Sequence, residues 1–128
     1  MRAFQKLIEI LLNYFSDEKL IEHLGKLKKQ IGSILILESA IDGISGIGIV
    51  KDNKKILSIS VVFNSTISFD ELKNLFLEYS ISYNHYDEKT ILSFQLDNKL
   101  IVLAKKDGFF DENEINKQFF SEFEFTFK

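Results

Sequence analysis

The chain contains no cysteine, no proline and no tryptophan. Without thiols it can form no disulfide, no thiolate metal site and no cysteine nucleophile, and their absence fits a reducing compartment. No apolar run approaches the roughly 20 residues that a membrane helix needs. The opening MRAFQKLIEILLNYFSD is basic and apolar, but Glu9 and Asn13 interrupt it and no small-residue cleavage site follows, which argues against a secretory leader. A strong charge of one sign is also missing, the formal net charge being -3. Only Lys26, Lys28 and Lys29 cluster, too few to make a phosphate-binding face. The expectation is a cytoplasmic protein that engages neither nucleic acid nor membrane.

What is present is the composition of a folded domain: 128 residues, 45% hydrophobic and 27% charged, with 13 phenylalanines. That length fits a single domain over 1–128 with a core of its own. Phe4, Leu7, Ile8, Leu11, Leu12 and Phe15 follow steps of three and four and predict a helix with one apolar face. Ser16 followed by Asp17 and Glu18 reads as a fresh helix start. Leu20, Leu24, Leu27 and Ile31 continue the stripe to a stop at Gly32, giving two helices or one kinked helix. Residues 33–38 carry apolar side chains on both parities and read as a strand covered on both faces or a short buried segment.

Residues 42–50, DGISGIGIV, hold three of the six glycines. A dinucleotide loop needs G-x-G-x-x-G between a strand and a helix, whereas Gly43, Gly46 and Gly48 give the reverse spacing. The Lys51-Asp52-Asn53-Lys54 turn and a strand over 55–63 follow, so no helix dipole is on hand to hold a phosphate. Ile44 lies on even parity and Ile47 and Ile49 on odd parity, which predicts a bulge near Ser45-Gly46 that re-phases a bent strand, with glycine supplying the unusual dihedrals. On the next strand Leu57, Ile59, Val61 and Phe63 are placed on one face and Ser58 and Ser60 on the other.

Ser68 and Glu71 form a capping box that starts a helix from Phe69 to about Tyr79, burying Phe69, Leu72, Leu75, Phe76 and Tyr79. Residues 81–86, 90–96 and 100–105 alternate as strands. Asp111 and Glu114 repeat the capping pattern ahead of a short helix to about Phe120, and Phe123, Phe125 and Phe127 alternate in a last strand. The Asp-Asn-Lys of 52–54 recurs at 97–99, each time inside strand, turn, strand, capped helix, strand. Duplication of a ββαβ unit and chance in a Lys- and Asn-rich chain both account for this. The fold expected is α+β: an N-terminal helical layer packed on a mostly antiparallel sheet of six to seven strands, in the order ααβββαβββαβ.

Chemistry is sparse. His23 borders the first apolar stripe and His85 sits in a strand segment, and neither has the spacing of a metal site. Asp87 is the geometric candidate to orient His85 as a base, but no nucleophile elbow accompanies it. No catalytic residue, cofactor or metal is therefore expected. The remaining feature is the tail, where Phe109, Phe110, Phe119, Phe120, Phe123, Phe125 and Phe127 are interleaved with acids. It reads either as core phenylalanines with solvated acids or as an acidic, aromatic-bearing surface for a basic partner.

The leading functional expectation is a non-enzymatic protein-binding module, a small acidic inhibitor, antitoxin or immunity-type protein that occludes a basic effector or toxin. Its candidate contact residues are Asp111, Glu112, Glu114, Glu122 and Glu124. Two rivals stand beside it. The element order is similar to that of small acidic chaperones that carry secreted proteins, though no motif supports the likeness. A small-ligand sensor or minor enzyme would use His85 with Tyr83 and Tyr86.

Overall fold

The computed structural model describes residues 2–14, 16–53 and 55–127. Among these the chain forms, in order, α1 (Arg2–Leu12), α2 (Asp17–Leu24), β1 (Gly25–Ile31), β2 (Ile34–Ser39), β3 (Ile44–Asp52), β4 (Lys55–Ser68), α3 (Phe69–Leu75), β5 (Tyr79–Asn84), β6 (Lys89–Leu96), β7 (Leu100–Asp107), α4 (Glu112–Ile115) and β8 (Phe119–Phe127). The strands make one antiparallel open sheet in the order β1-β2-β3-β4-β8-β7-β6-β5. Two four-stranded meanders are thus joined through β4 and β8, and α3 carries the chain from the middle of the sheet to its far edge. The α+β class stands, with eight strands rather than six or seven.

The added strand is β1, and it corrects the first helical reading. The apolar spacing runs on through Leu27 and Ile31 to Gly32, but the helix stops at Leu24 and both residues are exposed on a strand, at 57% and 52%. Gly25 is the cause. It faces Ser39 across the β1–β2 ladder, and a Cβ there would lie 2.0 Å from the Glu38 carbonyl oxygen, so only glycine lets the two backbones approach. Gly32 lies instead in the turn between Ile31 and Ile34, with φ 58°. The start of α2 is as expected, Ser16 Oγ accepting from the Lys19 amide at 3.2 Å. Phe15, placed on the first stripe, lies outside the described residues.

Bulges decide which residues reach the core. Between Ile44 and Gly46 the β3–β4 register slips by one, leaving Ser45 as the extra residue, with its hydroxyl donating to the Val62 carbonyl at 3.1 Å. Ile44, Ile47 and Ile49 are all buried as a result, as their parity requires. The left-handed dihedral falls at Gly43 (φ 92°) and not at Gly46 or Gly48. A second bulge at Leu57 was not foreseen: Val50 faces Ser58 while Lys51 faces Ile56, so Ile56 enters the core and Leu57 stays 44% exposed. The Ile56 amide donates to Asp17 Oδ2 at 3.1 Å, which ties α2 to this kink.

The helices bury their apolar faces on one side of the sheet only. Phe4 of α1 is fully buried, with ring centroids 5.0 Å from Phe123 of β8, 5.8 Å from Phe63 of β4 and 6.4 Å from Phe76 beyond α3. Burial of one such ring stabilises the fold by roughly 1.5–3 kcal/mol, and tilted aromatic contacts add about 0.5–1.5 kcal/mol. α3 begins with the expected reciprocal Ser68–Glu71 box but ends at Leu75, four residues early. Phe69, Leu72 and Phe76 are buried, Leu75 is exposed, and Tyr79 opens β5 instead of closing the helix. α4 likewise has the Asp111–Glu114 box and is a single turn, because Phe119 and Phe120 are taken into β8. The recurring Asp-Asn-Lys sits in two different settings: Asp52 pairs with Lys55, the expected turn residue Lys54 lying outside the described residues, whereas Leu96 pairs with Leu100 around Asp97, Asn98 and Lys99.

Candidate partner-binding surface

One end of the sheet gathers the turn between β5 and β6 and the segment between β7 and α4. The buried Thr90, at 0% exposure, holds them together. Its hydroxyl donates to the Gly108 carbonyl at 2.8 Å and accepts from the Phe110 amide at 2.9 Å. The Gly108 amide donates to the Glu88 carbonyl at 2.7 Å, and the Tyr83 hydroxyl donates to the Phe110 carbonyl at 2.9 Å. Each of these groups would be left unpaired without its partner, at a cost of about 1–3 kcal/mol when buried.

The consequence is a fixed pair of side chains at neighbouring positions, Phe110 packed against the core and Phe109 facing outward at 48% exposure. The Phe109 ring lies 5.2 Å from His85 and 6.0 Å from Tyr83. The segments that carry this patch also hold Asp87, Glu88, Asp111, Glu112 and Glu114. The Asp111 carboxylate accepts from the Glu114 amide at 2.9 Å and the Glu114 carboxylate from the Asp111 amide at 3.3 Å, so both have a structural task. Glu112 projects from α4 as an exposed acid in its first turn.

The structure does not bring the five sequence candidates onto one surface. α4 lies on the helix-covered side, where Ile115 is buried. Glu122 and Glu124 alternate along β8 with the buried Phe123 and Phe125 and so project from the opposite, uncovered face. There Glu122 accepts from Lys89 at 2.9 Å, Lys89 also pairs with Asp107 at 3.1 Å, and Glu124 lies 3.8 Å from Lys105. The hydrogen bond to Glu122, aided by Asp107, raises the Lys89 ammonium above the ordinary lysine value against the opposing effect of burial. Of the tail phenylalanines, Phe120, Phe123 and Phe125 are core, while Phe109 and Phe119 are exposed.

His85 is in the turn and not in a strand, which corrects its expected geometry. Asp87 accepts from Asn84 Nδ2 at 3.2 Å, and Asn84 Oδ1 accepts from the Tyr86 amide, so the local carboxylate serves the turn. Among the described residues no group of three or more His, Asp or Glu side chains converges as a metal site. Gly46 and Gly48 lie inside β3, with no helix start beside them. No described helix is long and apolar enough to cross a membrane. Sequence reasoning missed Thr90, although the signal was there: it falls in phase with Leu92 and Phe94, a polar residue at a core position of β6. Comparison with protein-family models, with curated proteins and with solved structures finds no match in any of the three.

Proposed function

We propose that the protein is a non-enzymatic protein-binding module that uses the Phe109 patch and its acidic surround to hold and occlude a basic partner protein. The observation that supports this is the outward-facing Phe109–His85 pair, fixed from beneath by Thr90 and flanked in the chain by the exposed acids Glu88 and Glu112. An aromatic side chain held in one position is an anchor that loses little freedom on binding, and surrounding charge of one sign steers a partner of the other. The acids nearest the anchor replace Glu122 and Glu124 in this reading, because those two are engaged by lysines on the opposite face.

The test begins with affinity capture from a native lysate and identification of a stoichiometric, basic partner by mass spectrometry. Binding of that partner is then measured with Glu88→Lys/Glu112→Lys, which reverses charge and leaves the α4 capping pair intact, and with Phe109→Ser. Both variants are expected to lose affinity, the first in a manner that weakens with salt. A partner that binds both variants as tightly as the parent would defeat the proposal.

A further inference from the structure

β5 is a terminal strand, and among the described residues no backbone group of Tyr79–Asn84 bonds to anything other than β6. Its sequence, Tyr79-Ser80-Ile81-Ser82-Tyr83-Asn84, carries no charge and no bulge. A bare row of donors and acceptors on such a strand is a template for another strand. The question is which one.

The first five residues read the same in both directions: Tyr, Ser, Ile, Ser, Tyr. A two-fold axis demands a surface complementary to itself, residue i meeting j while j meets i. Antiparallel pairing of two β5 strands about Ile81 meets that demand. It places Tyr79 opposite Tyr83, Ser80 opposite Ser82 and Ile81 opposite its own copy. Tyrosine and isoleucine pairs are favourable across strands, and no like charges meet. Continuing this register past the strand ends brings the His85–Tyr86 turn of one copy alongside Phe76 and Leu77 of the other. Leu77 and Tyr86, at 98% and 96% exposure, are the most exposed large apolar side chains among the described residues. A single symmetry operation would therefore cover both. Next to Leu77 the surface is hollowed into a recess of about 640 Å³ between the α3–β5 connection and the end of β6, with room for an incoming side chain.

We infer that the protein associates with a second copy of itself through β5, in a two-fold antiparallel pairing centred on Ile81 that makes one sheet continuous across both copies. The same operation applied to β1 about its middle residue would set Lys28 against its own copy. Glu112 is not on β5 and stays exposed in the pair, while the His85 side of the Phe109 patch comes to border the second copy.

The test is sedimentation and light scattering over a concentration series. The parent is expected to show a reversible monomer–dimer equilibrium. Ser80→Lys/Ser82→Lys places lysine opposite lysine twice, at two exposed positions, and is expected to weaken dimerisation by about tenfold or more with unchanged circular dichroism. Ser80→Lys/Ser82→Glu makes each pair complementary in this register alone and is expected to restore it. Because the chain has no cysteine, Ile81→Cys gives a single thiol that a short bifunctional cross-linker should join across the axis. A parent that stays monomeric at its highest workable concentration overturns the inference. So does a dimer indifferent to Ser80→Lys/Ser82→Lys, or a β5 that accepts an extended segment of another protein and never its own copy.

Discussion

The two edges of the sheet are made by opposite rules. β1 carries Lys26, Lys28 and Lys29, and its register slips between Leu27 and Lys29. Charge and a bulge are the usual means by which natural sheets keep an edge from recruiting strangers. β5 has neither, and it is flanked by the two apolar side chains that the fold leaves most exposed. Both strands end the same sheet, but β1 buries only Gly25 while β5 packs Tyr79 and Ile81 against the core. One edge therefore carries the devices that close a sheet to other chains and the other carries neither.

The largest perturbation tests whether the two edges share one core. Phe4→Ala removes the ring that touches β4, β8 and Phe76 together, and is expected to cost about 3–5 kcal/mol in urea unfolding. Hydrogen exchange should accelerate equally at β1 and β5. Acceleration at one edge alone would mean two cores.

Gly25→Ala should separate the edges. A methyl 2.0 Å from the Glu38 carbonyl oxygen must push β1 away from β2, at about 1–3 kcal/mol, with loss of amide protection in β1 and none in β5. Thr90→Val should act on the opposite end. Losing its two bonds is expected to cost about 1–3 kcal/mol and to release Phe109, seen as a change in its ring resonances while β1 stays as it was.

Smaller effects follow at the caps and charges. The Glu71 carboxyl is held below the usual glutamate range, chiefly by the hydrogen bond from the Ser68 amide. A carboxylate lowered in the folded state stabilises it above the ordinary glutamate value, and that contribution disappears as pH falls through the lowered one. Glu71→Ala is expected to cost about 0.5 kcal/mol near neutral pH and less in acid, by thermal unfolding at each pH. Last, Lys26→Ser/Lys28→Ser/Lys29→Ser should change stability by no more than about 0.5 kcal/mol yet increase self-association, measured by light scattering. Association unchanged would show that the bulge alone guards that edge.

The sequence made the helix starts legible because caps are local: Ser16, Ser68 and Asp111 act within four residues of themselves. Helix ends were not, because they depend on distant partners. Nothing near Gly25 announces that Glu38 will lie against it, and the charged β1 lacks the alternation that marks a half-buried strand. The Ser45 bulge was readable from a change of isoleucine parity, while the Leu57 bulge hid behind an apolar residue on either parity. The same overreach of a helix, through Tyr79, split the symmetric Tyr-Ser-Ile-Ser-Tyr between two elements and concealed it. At the candidate surface, the acids were visible and their sidedness was not. Whether Glu122 and Glu112 share a face is settled only when β8 takes its place and α4 packs by Ile115.

β8 is the last strand in sequence and sits in the middle of the sheet, between β4 and β7. During vectorial synthesis both meanders can therefore form with an inner edge still raw, each waiting for one late segment. Docking of Phe120, Phe123 and Phe125 both welds the halves and completes the roof under Phe4. Until then the nascent chain exposes its most adhesive surface at its centre and not at its rim, which is where a cell would have to shield it.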